Sequence, residues 1–425
     1  MQGSDHRRLR GWYHSGSALP SPEGSEPGSP PRARRQTIAA LLLLVAALWI
    51  APLIAAGAVA GLSGSGDDFN LVHWELSRLT GFALNRLSGS VASRAASNDE
   101  VLRYFDLLRQ ARAARRPALA GDAAGADRAA ALRAQAERLR PLVEARFEDA
   151  VAHAARGAGL VQRLPIFGDV TFVWPPPAAG LTVPPHILIS SPRDRIALES
   201  TQLLRSDLSA ADAARIEHNA EKGGQVSALV DQIGGLSAWP SIVDQDDSPL
   251  GVMQTMAHEW MHAYLVFHPL GARYGQSSDL TLINETVANL VGRELGSTAY
   301  ASLGLPPQAT PQPAPPNALD FNKTMHDLRL EVDRLLAQGK IDEAEQRMND
   351  TQKLLAENGY PIRRINQAYF AFYGSYGDSP QASSPLGNEI ETLRRESSSL
   401  ATFVQRVQNV DSRADLERLL QKRGG

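Results

Sequence analysis

Cysteine is absent from the 425 residues. Its absence excludes disulfide bonds, thiol catalysis and cysteine-ligated zinc. Lysine is scarce as well, since only 5 of the 43 basic residues are lysine and the other 38 are arginine. The formal net charge of −3 lacks the basic excess of nucleic-acid-binding proteins, so we expect no nucleic-acid partner. The length nevertheless allows a sizeable core and two or three domains.

Charge is missing from Thr37 to Leu62, a run of 26 residues. About 20 apolar residues cross a bilayer, so this run is long enough to do so with some tilt. Arginines are concentrated before the run, and Asp67 and Asp68 follow it. This asymmetry predicts a single-pass cell-membrane protein with a cytoplasmic N-terminus and an extracytoplasmic main body. Ala58–Ala60 also fits a signal-peptide cleavage site, but the run exceeds a usual signal core, so we favour an uncleaved signal-anchor over residues 37–62.

Composition divides the rest of the chain into regions. Residues 1–36 are rich in Ser, Pro and Gly, which predicts a disordered cytoplasmic tail. Residues 63–160 are dominated by Ala, Leu and Arg at helical spacing, and residues 319–425 are again mostly helical. Between them lie a mixed region, residues 161–303, and a proline-rich linker, residues 304–318. The expected fold class is therefore α+β and mostly helical.

Strand-like segments occur in the mixed region. "DVTFVW" and "HILISS" are short β-type runs bounded by prolines and glycines. "IALESTQLL" and "QVSALVDQI" are further strand candidates, with a helix in "SAADAARIEHNAEK" between them. We therefore expect a small sheet before residue 248.

Two helices are expected after this sheet. Ser248 is a typical N-cap residue and Pro249 suits the first helical position. This helix would continue to about Phe267, where nearby Pro and Gly stop it. A second amphipathic helix is expected from about Asp279 to Leu295.

The first helix contains "HEWMH", with His258, Glu259 and His262. On a helix, residues four apart lie about 40° apart around the axis and about 6 Å along it. His258 and His262 therefore present both imidazoles on one face, as two ligands of a tetrahedral zinc ion require. Glu259 stands next to the first ligand, where it can take a proton from a zinc-bound water and later give it to a leaving amine.

A catalytic zinc ion needs a third protein ligand. His268 has the offset that metzincins use, but Leu265 stands where their pattern has a glycine. If the helix continues, His268 lies about 80° around the axis and about 15 Å along it from His258, too far to share a metal. Glu285 is the other candidate, because it stands among apolar residues where an unpaired carboxylate is costly and zinc would be a partner. A position on the solvated face of the second helix is the alternative for Glu285.

"HEWMH" followed by "NETVAN" resembles the gluzincin, or thermolysin-like, zinc metallopeptidases. The resemblance covers about residues 248–296 and implies a zincin-like core, with Glu259 as general base and an Asn-Glu motif that supplies the third ligand. It implies a Zn²⁺ site formed by His258, His262 and Glu285. The thermolysin pattern has an aspartate four residues after that glutamate, which orients the first histidine. Asn289 occupies this position and can accept a hydrogen bond, but it adds no charge.

The family also has an edge strand before the motif helix, which pairs with extended substrate. "GGLSAWPS", Gly234–Ser241, is in the right place, and a plain connecting strand is the alternative. No motif names the donor that stabilises the oxyanion in the transition state. Tyr369 and Tyr373 are candidates, although their helical stripe also fits an ordinary core.

These patterns predict a membrane-anchored zinc metallopeptidase that acts on a peptide or protein substrate outside the cytoplasmic membrane. One alternative is a zinc-binding but inactive envelope interaction protein, which would not need Glu259. The other is a metzincin-like protease that uses His268. The oligomeric state is not specified by the sequence.

Overall fold

The computed structural model describes most of the chain after residue 65. The described residues are 66–75, 77–78, 95–119, 123–163, 171–308 and 318–421. The predicted tail (1–36) and the predicted signal-anchor (37–62) lie outside them. Within the described ranges, no helix combines the length and the apolar character needed to cross a membrane.

Two long helices come first, α1 (Asn98–Leu119) and α2 (Ala123–Gly157), and they pack closely on each other. Pro141 lies inside α2, and the helix continues through it. Two glutamates of α2 accept backbone hydrogen bonds from strand β3 (Ala179–Thr182), Glu144 from Leu181 at 2.8 Å and Glu148 from Ala179 at 3.1 Å. These bonds attach the helical pair to the sheet region.

The sheet expected before residue 248 is present. Strand β4 (His186–Pro192) lies between β5 (Ser200–Leu204) and β6 (Val226–Gln232) and is antiparallel to both. Helix α3 (Ala210–Ala220) connects β5 to β6, and Ser209 and Asp212 form a capping box at its start. Three of the four segments predicted as strands form this sheet, and "DVTFVW" forms only the two-residue β2 (Thr171–Phe172), which lies in a separate ribbon.

A second small sheet adjoins the first helix of the site. Strand β3 (Ala179–Thr182) is parallel to β8 (Ser241–Asp244), and β8 is antiparallel to β7 (Gly235–Leu236). Strand β7 is therefore an edge of this sheet. The remaining strands, β1 (Gln162–Arg163) and β2 (Thr171–Phe172), form a short antiparallel ribbon.

The two helices expected after the sheet are α4 (Pro249–Leu265) and α6 (Ser278–Ser302), separated by the single turn α5 (Pro269–Ala272). Helix α4 begins as predicted, because the Ser248 side chain accepts a hydrogen bond from a backbone N–H of the first turn. It ends two residues before Phe267. His268 precedes Pro269, and its backbone is extended (φ −128°, ψ 157°). The proline ring would clash with the preceding residue if that residue were helical.

The C-terminal residues form further helices around this centre. They are α7 (Phe321–Ala337), α8 (Ile341–Glu357), α9 (Gln367–Tyr373), α10 (Leu386–Glu396), α11 (Leu400–Val407) and α12 (Arg413–Gln421). One hydrophobic core unites α1, α2, α4 and α6 with α10–α12, and a second unites β4 and β6 with α7–α9. The larger core crosses the boundary expected at residues 160 and 161. The predicted class, mostly helical α+β, is confirmed.

Candidate metal centre

Helix α4 brings two histidine nitrogens together. His258 and His262 lie one turn apart, and their Nε2 atoms are 3.0 Å from each other. Both imidazoles are partly buried on the face of α4 that borders a cleft of about 810 Å³. Most other residues of α4 are buried in the core. Their packing fixes the orientation of the helix about its axis, so that the two histidines face the cleft.

Glu285 of α6 completes the group. Its Oε2 atom lies 3.5 Å from Nε2 of His258 and 3.5 Å from Nε2 of His262. Glu285 is only 6% exposed, and Oε2 is buried without a hydrogen-bond partner. Its other oxygen, Oε1, accepts a hydrogen bond of 2.6 Å from the hydroxyl of Tyr274. Tyr274 therefore orients the carboxylate so that Oε2 faces the two imidazoles.

Glycines allow α6 to approach α4 this closely. A Cβ atom at Gly292 would lie 2.9 Å from the Gln254 carbonyl oxygen and 2.9 Å from Cβ of His258. A Cβ atom at Gly296 would lie 2.5 Å from Cα of Gln254. The two glycines lie one turn apart on the face of α6 that packs against α4, and neither has a side chain to keep the helices apart. This close approach allows a carboxylate on one helix to reach histidines on the other.

The three ligating atoms fit a zinc ion. The ligands of a tetrahedral zinc with bonds of 2.0–2.1 Å are about 3.3 Å apart, and the observed separations are 3.0, 3.5 and 3.5 Å. Two imidazoles and one carboxylate are a typical donor set for catalytic zinc, with a fourth position left open. A cation would also neutralise the buried Glu285 carboxylate, whose Oε2 atom makes no hydrogen bond. No other group of three or more potential ligands occurs among the described residues.

Asn284 sets the tautomer of His262. Its side-chain nitrogen donates to the carbonyl of Leu270 at 3.3 Å, so its side-chain oxygen faces His262 Nδ1 at 2.7 Å. Nδ1 must then carry the proton, which leaves the lone pair of Nε2 for a metal. In the sequence, the only signal for this role of Asn284 is its position directly before Glu285 in the Asn-Glu motif.

Charges in the cluster shift one another's pKa. Burial opposes protonation of His262, but the neighbouring Glu285 carboxylate outweighs burial and raises the pKa of His262 to about 9. Burial would raise the pKa of Glu285, but His262 and His258 hold it far below the usual range. The metal-free cluster is therefore an ion pair at neutral pH, and a metal ion would have to displace a proton from it.

Glu259 is also buried at the cleft, with 6% exposure. Its carboxylate has no hydrogen bond or ion pair within the described part of the chain. Burial raises its pKa, and the two histidines partly oppose the shift. The backbone of Gly235 in β7 leaves room for it, since a Cβ atom there would lie 3.0 Å from the carboxyl carbon. A buried carboxylate without a structural partner is costly, which favours a role in chemistry.

The two tyrosines predicted as donors are engaged elsewhere. The hydroxyl of Tyr369 accepts a hydrogen bond from Gln381 at 3.0 Å, and Tyr369 does not line the cleft. Tyr373 lines the cleft, but its hydroxyl donates to Asp231 at 2.9 Å. Tyr376, from the same stripe, has its ring centre 6.4 Å from that of His258. Its hydroxyl has no hydrogen-bond partner among the residues described, so it is free to contact a ligand in the cleft.

Asn289 and His268 do not join the metal cluster. The Asn289 side chain donates to Asp378 at 2.9 Å, and across the described ranges it makes no hydrogen bond to His258. His268 stacks on Tyr264 with ring centres 4.8 Å apart, and its Nε2 lies 3.4 Å from the side-chain nitrogen of Gln162. Burial lowers the pKa of His268. A metal site that combines His268 with His258 and His262 is therefore not present in this structure.

Comparisons with known proteins assign no family to the chain. No protein-family model matches it, and neither a curated protein nor a solved structure matches it. The functional interpretation consequently depends on the geometry of the centre and on the two motifs that form it.

Proposed function

We propose that the chain is a zinc-dependent peptidase, with His258, His262 and Glu285 as zinc ligands and Glu259 as general base. One observation carries the proposal: the Oε2 atom of Glu285 is buried, makes no hydrogen bond and lies 3.5 Å from both histidine Nε2 atoms. A single structural ion pair would need only one histidine beside this carboxylate, whereas equal distances to two histidine Nε2 atoms fit three ligands around one cation. The substrate is a peptide or protein.

Bound zinc would act as a Lewis acid at this site and lower the pKa of water. Glu259 would take the proton from the attacking water and deliver it to the departing amine. Its raised pKa makes it a better proton acceptor than an ordinary glutamate, and its position beside the histidines places it next to the reacting atoms.

The edge strand β7 supports a peptide as substrate. Within the described part of the chain β7 pairs only with β8, so one side of its backbone is open. Gly234–Ser237 line the cleft beside Glu259. An extended peptide can add to such an edge through main-chain hydrogen bonds, which recognise the backbone whatever its side chains.

Tyr376 is the donor that we assign to the transition state, in place of Tyr369 and Tyr373. Burial, followed by the nearby Glu285 and Glu259 carboxylates, raises its pKa well above the usual value. The hydroxyl therefore keeps its proton at neutral pH and can donate to a carbonyl oxygen that gains negative charge.

The proposed location is outside the cytoplasmic membrane, with residues 37–62 as the anchor. The arginines before this run and the aspartates after it support that orientation. Added protease that digests residues 66–421 in intact spheroplasts would support the orientation. Protection of these residues until the membrane is broken would contradict it.

The test of the activity uses purified full-length protein, a peptide mixture and mass spectrometry. Zinc-loaded wild type should cleave peptides, and removal of the metal by a chelator should abolish cleavage. Glu259→Gln is the matched variant, because it keeps the size and the three ligands but cannot accept the proton. It should retain zinc and lose at least about 100-fold in rate.

The product ends would distinguish internal cleavage from terminal trimming. Full activity of Glu259→Gln would contradict the assignment of the base. Absence of cleavage by folded, zinc-loaded wild type would contradict the peptidase and favour a zinc-binding interaction protein.

A further inference from the structure

The loop that carries Tyr376 is attached to the helix that carries Glu285. This Tyr376 loop, residues 374–385, connects α9 to α10. The backbone N–H of Gly377 donates to the Thr286 hydroxyl at 3.0 Å. One residue later, Asp378 accepts a hydrogen bond from Asn289 at 2.9 Å and pairs with Arg293.

The three partners on α6 form one stripe. Thr286, Asn289 and Arg293 follow one another at spacings of three and four residues, so they lie on the same face of the helix. Thr286 is adjacent to the ligand Glu285. The loop is thus attached along about two turns of α6, beginning at the metal centre.

The approach of the loop to α6 is close. A Cβ atom at Gly377 would lie 2.7 Å from the Thr286 hydroxyl oxygen and 2.7 Å from Cα of Gly387 at the start of α10. Only a glycine allows this contact without a shift of the loop. Gly377, the residue directly after Tyr376, is therefore packed between α6 and α10.

Asp378 bonds to two residues of α6. Its side chain is 9% exposed and borders the cleft, whereas Arg293 is 51% exposed. One carboxylate oxygen is bonded to Asn289 and the other to Arg293. Charge-assisted bonds of this kind are stronger than neutral ones. Both carboxylate oxygens are thus bonded to α6, so Asp378 connects the loop to the helix.

We propose that Asp378, held by Asn289 and Arg293, is a positioning residue that keeps the Tyr376 hydroxyl aimed at the metal centre. The inference rests on the proposed function and names the residues that place its transition-state donor. It also gives Asn289 a role, because the amide that replaces the family's aspartate bonds the loop instead of a histidine.

The activity test is a double-mutant cycle on the zinc-loaded full-length protein. Asp378→Ala should lower kcat by roughly 10- to 100-fold, as expected for a misplaced catalytic group, with KM and zinc content unchanged. Tyr376→Phe should lower kcat by at least about 100-fold. In the Tyr376→Phe background, Asp378→Ala should cause no further loss, since it acts only through the tyrosine.

The matched control is Glu294→Ala. Glu294 of α6 pairs with Arg394 of α10 at 2.7 Å, so it is an ion pair of the same helix that involves neither the Tyr376 loop nor the cleft lining. We expect wild-type kcat for this variant. Arg293→Lys should recover part of the activity that Arg293→Ala loses, because the lysine restores a cation beside Asp378.

Hydrogen–deuterium exchange measures the contact independently of activity. Asp378→Ala should increase amide exchange in residues 374–381 and leave exchange in α4 unchanged. Unchanged exchange, or losses of kcat that multiply in the double variant, would overturn the positioning role while the peptidase stands. Wild type without hydrolytic activity would overturn the proposed function and the role of Asp378 in it together.

Discussion

Gly292→Ala tests the packing that brings the three ligands together. Gly292 faces α4, and a Cβ atom there would lie 2.9 Å from the Gln254 carbonyl oxygen, 2.9 Å from His258 Cβ and 3.1 Å from His258 Cα. Ordinary carbon contacts are about 3.5–4.0 Å, so the helices would have to separate by roughly 0.6–1 Å. The first atoms to move would belong to His258.

The magnitude has two opposing parts. Overpacking of this kind costs about 1–3 kcal/mol, and alanine recovers about 1 kcal/mol in helix propensity. The free energy of unfolding of the metal-free protein should therefore fall by about 0–2 kcal/mol. Zinc affinity is the more sensitive quantity. A displaced ligand should lower it by about 10- to 100-fold, comparable to the loss of a residue that orients a metal ligand.

The assays are urea unfolding in chelator and zinc competition against a chromophoric chelator. Gly157→Ala is the control, because Gly157 ends α2 with nothing within 4 Å of its added Cβ. It should match or exceed wild-type stability and bind zinc normally. Wild-type zinc affinity in Gly292→Ala would refute the argument that this glycine sets the distance between the ligands.

Three further predictions concern the ligands, pH and stability. Glu285→Ala should lose zinc and His268→Ala should keep it, as measured by metal analysis after dialysis; the reverse result would revive the metzincin-like alternative. The pKa of His262 is raised to about 9 in the metal-free protein, so its proton is present at pH 7 and must leave on binding. Apparent zinc affinity should rise about tenfold per pH unit up to about pH 9 and then level off, and calorimetry in buffers of different ionisation enthalpy should detect the released proton at pH 7. Arg363→Ala should lower the free energy of unfolding by about 2–3 kcal/mol, because the buried Glu217, 3% exposed, would lose its bidentate partner. Glu217 would keep its other bonds, such as the one from the backbone N–H of Val230. A loss below about 1 kcal/mol in urea unfolding would contradict this prediction.

Local chemistry made α4 predictable. Ser248 and Pro249 begin a helix through their own capping preferences, and a spacing of four places His258 and His262 on one face of any helix. The end of α4 was expected two residues too late, because the extended conformation that Pro269 imposes on His268 also shortens the preceding turn. These features depend only on neighbours within a few residues.

The interpretation of Tyr369 and Tyr373 as donors had no such basis. A helical stripe shows which side chains share a face, but it does not show which of them find other partners. The hydroxyl of Tyr369 accepts a hydrogen bond from Gln381 and that of Tyr373 donates to Asp231, so of these three tyrosines Tyr376 alone has no hydroxyl hydrogen bond within the described ranges. For Asn289, the family pattern pointed to a histidine, whereas the folded chain places Asp378 within reach.

The sequence by itself determined the paired histidines, the adjacent Glu259 and the mostly helical α+β class, because helix periodicity and capping act over short distances along the chain. The tertiary structure decided that Glu285 meets both histidines, since this requires the close packing of α4 on α6. It also decided that Tyr376, 91 residues beyond Glu285, lines the same cleft with its ring centre 6.4 Å from that of His258. The "NETVAN" motif pointed to Glu285 as a ligand, but whether it meets the histidines depends on the packing of whole helices, and no pattern pointed to Tyr376 rather than its neighbours.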